Sequence, residues 1–452
     1  MKRFESAFKW LTMSLILMML VSACSSKTEE STSAGDANKP SDTTDNASSG
    51  KKVTLQVMYL KESGTTDKKA QWMQENIDLY KSANPNIDFE VVDNTGGDNY
   101  LTAITTRMAA NNVPDLFETW TLERLRPFAE ANRLYDLTDF LNSDEDLKSK
   151  FSDDALNATS FNGKTYAMPL TQDLEIVYYN KDVFQKYNLQ VPQTYDELLN
   201  IIDVLKSNDI VPITLPNKEP WMGTIPYMMI AERIGGMDIY NNTVVNKTGS
   251  WTDNPFIEAA AMLQDLVKRG AFDKNVNNLT RPESEIKLSE GKAGMYIGLT
   301  SAANENLIDS LGDKLGFFNF PDVPGGKGSK DHYLMTPTIA YSVGADTKHP
   351  EEVKAFLKFI YSNERQLALA KVGSTLAYKV KTQPGDLPEI NEELEKASKS
   401  ATGSMYFWDM PLGAFMGKEL NNTTQSLYMG VDPQQAFSSL QKSAESEQAQ
   451  AK

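Results

Sequence analysis

The sequence predicts an α/β fold with two lobes, and three observations support this prediction. Segments with the hydrophobic period of strands and of helices alternate from residue 53 onward. The alternation resumes after an Asn-Gly-Lys turn at 162–164. The chain also has 452 residues, more than one ordinary compact domain contains. Repeated β-α-β alternation implies a mainly parallel sheet covered by helices, with a ligand site beyond the carboxyl ends of the strands.

The elements of the first lobe follow from this periodicity. Residues 53–59 alternate apolar and polar side chains as a strand does, and residues 70–80 carry the apolar stripe of a helix. Asn84-Pro85 ends that helix, because a residue that precedes proline disfavours helical backbone. The other predicted elements of this region are a strand at 87–92, a helix at 99–110 and a short strand at 114–117.

The elements after the turn indicate a second sheet. Strand-like segments lie at 165–168 and 175–179, and Thr194 is placed to cap a helix at 195–206. No short repeat of the solenoid type is visible, so two lobes are the simplest arrangement. The remaining predicted helices are at 255–269, stopped by Gly270, and at 350–363.

Composition and charge exclude two classes of partner. The formal net charge is −16 and the isoelectric point is about 4.8, which opposes attraction to the phosphates of nucleic acids. No segment rich in Lys and Arg has the amphipathic pattern that holds a protein flat on anionic lipid. The one cysteine, Cys24, leaves no intramolecular disulfide, so stability depends on core packing.

The first fifty residues indicate export and a tether. Basic residues precede an apolar run at 10–21 that is too short to span a bilayer, as in a secretory signal peptide. Residues 20–24, Leu-Val-Ser-Ala-Cys, resemble the lipobox of bacterial lipoproteins, which implies a signal peptide of residues 1–23 and a lipid anchor on Cys24. Residues 24–50 are polar enough to predict a flexible linker. The alternative is an ordinary cleaved signal followed by an accidental cysteine.

Several segments of the mature chain resemble the family 1 extracellular solute-binding proteins, the group that includes maltose-binding protein. The similarity lies in the order and spacing of the segments rather than in one motif. The segments are Asn-Gly-Lys-Thr-Tyr-Ala-Met-Pro at 162–169, Val-Tyr-Tyr-Asn-Lys-Asp at 177–182, Pro-Gln-Thr-Tyr-Asp-Glu-Leu at 192–198, Gly-Lys-Ala-Gly-Met-Tyr at 291–296, Ala-Tyr-Ser-Val-Gly-Ala at 340–345 and the helix at 351–359.

This resemblance implies a two-lobed, type II periplasmic-binding-protein-like fold with a hinge and an interlobe cleft. It implies that the cleft captures a sugar or oligosaccharide and that the protein delivers it to the permease subunits of an ABC transporter. The protein is then expected as a monomer on the extracytoplasmic face of the bacterial cell membrane, held there only by its lipid anchor. The implied lobes are 51–159 plus 321–372 and 160–320 plus 373–445, with hinge crossings near Ser160, Phe320 and Gly373.

A sugar presents hydroxyls around its rim and C–H groups on its faces, so its site needs polar side chains and flat aromatic rings. Candidates follow predicted strands in both lobes, and Glu219-Pro220-Trp221 resembles the Glu-Pro-aromatic segment that faces maltodextrin in the family. Each tryptophan could instead belong to the core, and each acid to the solvated surface. The expected ligand-binding residues are Tyr59, Glu62, Glu118, Trp120, Asp173, Glu219, Trp221, Trp408 and Asp409.

One departure from the family bears on the ligand. The family often has a tryptophan platform after the segment at 295–298, but here Leu299-Thr300-Ser301 follows. One stacking surface is therefore missing, and the ligand is expected to differ from a linear maltodextrin.

Two other functions stay open at this point. The same fold could report a ligand to a membrane kinase rather than feed an importer. Paired carboxylates in an aromatic cleft would also serve a secreted glycoside hydrolase. No Walker phosphate loop, zinc-protease motif or Gly-x-Ser-x-Gly elbow is present, so we expect no catalytic residue, cofactor or metal ion.

Overall fold

The computed structural model describes residues 52–61, 67–92, 96 and 98–450. The predicted signal peptide, Cys24, the whole of the predicted linker and Glu62 lie outside the described residues. The strands are, in chain order, β1 Val53–Met58, β2 Ile87–Val91, β3 Leu116–Trp120, β4 Ser160–Phe161, β5 Lys164–Thr165, β6 Ala167–Pro169, β7 Gln172–Asn180, β8 Val211–Thr214, β9 Ala293–Leu299, β10 Leu315–Phe318, β11 His332–Pro337, β12 Ile339–Val343 and β13 Gly403–Met405.

Helices alternate with these strands, so the predicted α/β class is confirmed. Short 3-10 turns lie at Leu122–Arg124, Val276–Asn278 and Gly312–Lys314, and a π-helical turn lies at Tyr240–Val245. The helices are α1 Lys68–Ala83, α2 Asp98–Ala109, α3 Arg126–Glu130, α4 Thr138–Asn142, α5 Glu145–Lys148, α6 Asp153–Asn157, α7 Lys181–Lys186, α8 Tyr195–Ser207, α9 Pro220–Gly235, α10 Met237–Ile239, α11 Asn254–Arg269, α12 Arg281–Ser289, α13 Thr300–Leu311, α14 Pro350–Ile360, α15 Asn363–Lys371, α16 Glu389–Ser400, α17 Asp409–Leu427 and α18 Pro433–Gln450.

Side-chain caps fix the ends of several predicted helices. The Asp67 carboxylate accepts a hydrogen bond from the backbone N–H of Ala70 at 2.8 Å, which begins α1. Thr194 and Glu197 form a capping box at the start of α8. Gly270 ends α11 with a φ of 84°, a left-handed conformation that glycine adopts without steric cost. These signals are local, so the sequence predicts them well.

The first sheet has five strands in the order β2-β1-β3-β12-β6. β1 pairs in parallel with β2 and with β3, as β-α-β connections require. β12 runs antiparallel to both β3 and β6, because it returns to this sheet from the second one. The expectation of a mainly parallel sheet therefore holds for only part of the sheet.

The second sheet is mixed, with β13, β11, β7, β9 and β8 adjacent in that order and β10 also paired with β7. β7 is the central strand and runs antiparallel to β9, β10 and β11. Its middle residues, Leu174 to Tyr178, are buried on both faces of the sheet. The sequence of this stretch is accordingly apolar, with one exception. The exception is the charged residue Glu175.

The chain passes between the two sheets at three places. We call each sheet with the helices packed on it a body. The first passage follows β6, and the second lies at Thr338, between β11 and β12. The third lies between α15, which contacts α1 in the first body, and α16, which contacts β10 in the second. The hairpin of β4 and β5 precedes the first passage, and β10 and β11 both belong to the second sheet. The predicted residue boundaries of the two lobes stay a prediction.

Buried apolar side chains form three clusters among the described residues. Two cover opposite faces of the first sheet, one including Leu55 and Val57 and the other Met58 and Phe117. The third fills the second body. In the part of the chain that the structure describes, no helix combines the length and the apolar character that a membrane span requires. α14 buries its predicted stripe of Val353, Phe356, Leu357 and Ile360 against the first sheet.

Candidate functional site

Tyr59 and Trp120 lie at the carboxyl edge of the first sheet, where the parallel strands β1 and β3 end. The buried Tyr59 hydroxyl donates to Oε1 of Gln74 at 3.0 Å. Burial raises the pKa of Tyr59, and nearby carboxylates raise it further. Trp120 is half-buried and meets the ring of Tyr100 edge to face, with 5.8 Å between ring centroids. Trp120 therefore keeps more of its ring accessible than Tyr59 does.

Glu118 is a buried carboxyl group on β3 that is paired inside the first body. It forms a salt bridge with Lys69 of α1, and the Tyr341 hydroxyl lies 3.5 Å from its Oε2. The Tyr100 hydroxyl donates to the Glu118 backbone carbonyl at 2.7 Å. Burial raises the pKa of Glu118, and the charge of Lys69 opposes that rise. Its predicted role as a ligand contact stays a prediction.

Arg124 joins the two bodies at the end of β3. Its Nη2 lies 2.8 Å from Oδ2 of Asp409, the first residue of α17 in the second body. Its guanidinium carbon lies 6.0 Å from the Trp120 ring centroid. Trp120 itself packs against apolar clusters of both bodies. Trp120, Arg124 and Asp409 thus form one contact between the bodies.

Trp408 is fully buried in the second body, next to Asp409. Its indole Nε1 has no hydrogen-bond partner among the described residues. This packing is that of a core tryptophan, so no ring face of Trp408 is exposed for stacking in this structure. The rings within 6.4 Å of its own are Tyr227, Tyr240, Trp251 and Phe256.

Glu219 and Trp221 lie together at the start of α9. The Trp221 indole N–H donates to Oε2 of Glu219 at 2.9 Å, and Pro220 occupies the first helical position between them. The Trp221 ring is half-buried and packs on the edge of the apolar cluster that fills the second body. The sequence pairs these two residues correctly because they are neighbours in one short motif.

Asp173 is buried at the start of β7 and accepts hydrogen bonds from within the protein. The backbone N–H of Ser301 donates to its Oδ1 at 2.7 Å, and the Thr338 hydroxyl donates to its Oδ2. Burial raises the pKa of Asp173, while these hydrogen bonds oppose the rise. Both carboxylate oxygens are therefore engaged by the protein.

Glu175 and Arg124 are charged residues near Asp409 that the sequence patterns described above do not single out. Glu175 is 1% exposed, and its Oε2 has no hydrogen-bond partner among the described residues. Burial raises the pKa of Glu175 well above its ordinary value, and Asp409 and Asp173 raise it further. One signal could have found Glu175: two acids alternate, at 173 and 175, on one face of an otherwise apolar strand.

The predicted site residues fall into two groups. Contacts join Trp120 to Asp409 through Arg124, and Trp221 to Glu219. The remaining predicted residues with described positions are held mainly by side chains outside the predicted set; they are Tyr59, Glu118, Asp173 and Trp408.

The joined residues offer rings and carboxylates, which can stack on apolar faces and accept hydrogen bonds from hydroxyls. No group of three or more His, Cys, Asp or Glu side chains within the described residues is arranged to hold a metal ion. A surface groove between α12 and α13 is lined by residues such as Pro282, Ile286 and Asn306 and contains no aromatic ring. That groove therefore lacks the stacking surface that Trp120 and Trp221 provide.

A family model described as bacterial extracellular solute-binding protein matches residues 63–367, more than half of the chain. The Multiple sugar-binding protein of Streptococcus mutans serotype c is 24% identical over 316 residues, which cover 68% of this chain and 72% of that protein.

Solved structures also resemble this fold. One, from work on xylan utilization by the thermophilic bacterium Caldanaerobius polysaccharolyticus, has a TM-score of 0.79 and 28% identity over 86% of this chain and 99% of its own. A chitin oligosaccharide binding protein has a TM-score of 0.80 and 24% identity over 88% of this chain and 99% of its own. These are two-lobed binding proteins, which confirms the predicted two-lobed fold.

Proposed function

Because this chain belongs to the bacterial extracellular solute-binding proteins, we propose that it captures a sugar or oligosaccharide between its two bodies and delivers it to the permease of an ABC importer. One observation supports this proposal most directly. Trp120 lies where the two bodies meet, packed against apolar clusters of both, with Arg124 and Asp409 beside it. A ligand bound there would contact both bodies at once.

The chemistry of the two groups of joined site residues suits a carbohydrate. Trp120 and Trp221 supply half-buried rings, and Glu219 and Asp409 supply carboxylates that accept hydrogen bonds from hydroxyls. The related proteins named above carry sugars or chitin oligosaccharides in their names, which favours the same ligand class.

Binding would act by closing the two bodies on the ligand. A ligand can shift an open–closed equilibrium only by its difference in affinity for the two states. Moving a population from about 1% to about 99% closed requires roughly 5.5 kcal/mol of such preference. One or two stacked rings and a few hydrogen bonds in a desolvated cleft supply that amount.

Binding is tested by calorimetry and thermal shift with oligosaccharides of xylose, N-acetylglucosamine and galactose. A ligand at 100 times its Kd should stabilise the protein by about 2.7 kcal/mol. Trp120→Ala and Trp221→Ala should each weaken binding about 10- to 100-fold, because each removes a ring that the ligand would cover.

Tyr187→Ala is the matched control for these variants. Tyr187 is a half-buried aromatic residue after α7, at the opposite end of β7 from the contact between the bodies. This variant should bind as the unmodified protein does. Unchanged affinity in both tryptophan variants would remove these rings from the site, and no binding to any oligosaccharide would contradict the proposed ligand class.

The proposed tether depends on Cys24. Lipid on this residue would hold the protein on the extracytoplasmic face of the membrane, since two acyl chains anchor a protein stably. The unmodified protein should fractionate with membranes, and Cys24→Ser should move it to the soluble extracellular fraction. Membrane fractionation of the variant would show that something other than this residue retains the protein.

Two experiments distinguish the proposed function from its alternatives, a hydrolase and a sensor. Labelled oligosaccharide should be recovered intact after long incubation, whereas shortened products would support a hydrolase. Deletion of the protein should abolish uptake of its sugar, whereas retained uptake with a lost transcriptional response would support a sensor.

A further inference from the structure

Hydroxyl groups at all three passages between the bodies meet at Asp173. We call Thr171, Asp173, Thr300, Thr338 and Thr375 the passage cluster. Thr171 lies in the first passage, Thr338 is the second, and Thr375 lies in the third; Asp173 follows the first passage as the second residue of β7. Thr300 is the first residue of α13 in the second body.

The hydrogen bonds of the passage cluster form two chains that end on Asp173. In one chain, Oγ1 of Thr171 lies 2.8 Å from Oγ1 of Thr338, which donates to Oδ2 of Asp173. In the other, Oγ1 of Thr375 lies 2.8 Å from Oγ1 of Thr300, which makes a long contact of 3.4 Å with Oδ1 of Asp173. The two chains therefore connect every passage to one carboxylate.

The single hydrogen that each hydroxyl carries fixes which group donates in the first chain. Thr338 uses its hydrogen toward Asp173, so Thr171 must be the donor in its contact with Thr338. In the second chain, the 3.4 Å contact of Thr300 with Asp173 is too long to fix which of Thr300 and Thr375 donates to the other. Asp173 accepts from Thr338 at Oδ2 and from the Ser301 N–H at Oδ1, so an oxygen acceptor is needed on each side of the group.

Burial and the backbone reinforce this arrangement. Thr171, Asp173 and Thr300 are at most 1% exposed. The Thr338 N–H donates to the Thr171 carbonyl at 3.0 Å, and the N–H of residue 172 donates to the Thr375 carbonyl at 3.1 Å. Breaking such contacts in a buried site would leave polar groups without partners, which is costly. A motion between the two bodies that keeps these contacts has to turn about this cluster.

We infer that Asp173 is the pivot of the motion between the two bodies. It is a positioning residue that fixes the three passages and the start of α13, and it acts on ligand affinity through the open–closed equilibrium rather than by touching the ligand. This inference rests on the proposed function, in which a sugar closes the bodies. It replaces the role of ligand contact that the sequence suggested for Asp173.

Two variants disturb the pivot in different ways. Asp173→Asn keeps the shape but puts a donor where one chain needs an acceptor, and Thr338→Val removes a hydroxyl that links two passages. Thr214→Val is the matched control, because Thr214 is fully buried on β8 and its hydroxyl has no partner among the described residues.

The distance between the bodies is measured with spin labels in a Cys24→Ser chain that carries Leu79→Cys and Val245→Cys. Both labelled positions are exposed, one on α1 in the first body and one in the π-helical turn in the second. Without ligand, Asp173→Asn and Thr338→Val should each shift or broaden the distance distribution, and the control should not. Both variants should also bind every sugar about tenfold more weakly, with the order of preference among sugars unchanged.

Three results would overturn the inference. One is an altered order of sugar preference in Asp173→Asn with an unchanged distance distribution, which is the signature of direct contact. Another is a Thr338→Val protein that matches the Thr214→Val control in both measurements. If Asp173→Asn does not fold by circular dichroism, Thr338→Val and Thr375→Val decide the question, and two unchanged distributions would reject the pivot. Failure of the unmodified protein to bind any sugar would contradict the proposed function, while the ligand-free distances would still test the pivot.

Discussion

Glu175 shows how a single buried acid can set the pH range of the protein. Burial, Asp409 and Asp173 hold its pKa well above the ordinary value of 4.5. The folded protein therefore keeps this proton at pH values where the unfolded chain has lost it. Below about pH 4.5 both states are protonated and the group has no effect. Above that pH, ionisation of the Glu175 carboxyl stabilises the unfolded state. The free energy of unfolding therefore falls as the pH rises toward the folded-state pKa.

Glu175→Gln should remove this pH dependence, because an amide resembles the protonated acid and does not ionise. The melting temperature of the variant should equal that of the unmodified protein near pH 4 and exceed it by about 2 °C or more at pH 8. Differential scanning calorimetry at both pH values measures the difference.

Glu130→Gln is the control for this measurement, since Glu130 is an exposed residue at the end of α3. This control should show the same melting temperature as the unmodified protein at both pH values. An equal change at pH 4 and pH 8 in Glu175→Gln would mean that packing, and not ionisation, governs this position.

Individual site residues were predictable to the extent that their partners are close in sequence. Glu219 and Trp221 are two residues apart and are found together. Asp173 is expected after the strand predicted at 165–168 but is the second residue of β7, and its partner Thr338 is 165 residues away. Nothing local in the sequence indicates such a pairing. Trp408 shows the same difficulty, because an aromatic-acid motif does not reveal which way the ring turns.

Helices with one apolar face are predictable from the sequence, whereas the buried helix α9 and the buried strand β9 are not. α8 and α14 bury one stripe and show the helical period. α9 is buried almost all round and contains Pro226, so it has neither a polar face nor an uninterrupted helical pattern. β9 is a wholly apolar run with two glycines, which periodicity cannot separate from a buried helix.

The kink in α17 is the reason that the sequence does not predict this helix. Gly413 has φ 80° and ψ −178°, a conformation that is essentially restricted to glycine. The kink brings the start of the helix against the 3-10 turn after β3, where a Cβ at position 413 would lie 3.6 Å from Cβ of Glu123. Pro411 and Gly413 both break helical patterns, so the sequence predicts no helix here, although the structure contains one.

Among the residues that the structure describes, two ion pairs join the bodies at the scale of the whole molecule, and they differ in burial. Arg124 and Asp409 are 26% and 12% exposed, and Asn421 also donates to Asp409 at 3.3 Å. Lys68 of α1 lies 2.7 Å from Asp309 of α13, which is 64% exposed. Solvent screens an exposed pair far more than a buried one.

Arg124→Gln should therefore lower the free energy of unfolding by about 1–2 kcal/mol, because it leaves the Asp409 carboxylate largely buried without its cation. Lys68→Gln should change it by no more than about 0.5 kcal/mol. Urea unfolding of both variants measures this contrast. Equal losses would show that exposure does not determine what these pairs contribute.

The position of β12 sets the order in which the chain can fold. β12 fills the place between β3 and β6, with Val343 opposite Leu116. Until residues 339–343 have been synthesised, β3 and β6 each present an unpaired edge, and closing so long a loop is slow. A nascent or truncated chain that stops before residue 339 would consequently expose unpaired strand edges that can pair with other chains. The first sheet can therefore be completed only after most of the chain has been synthesised.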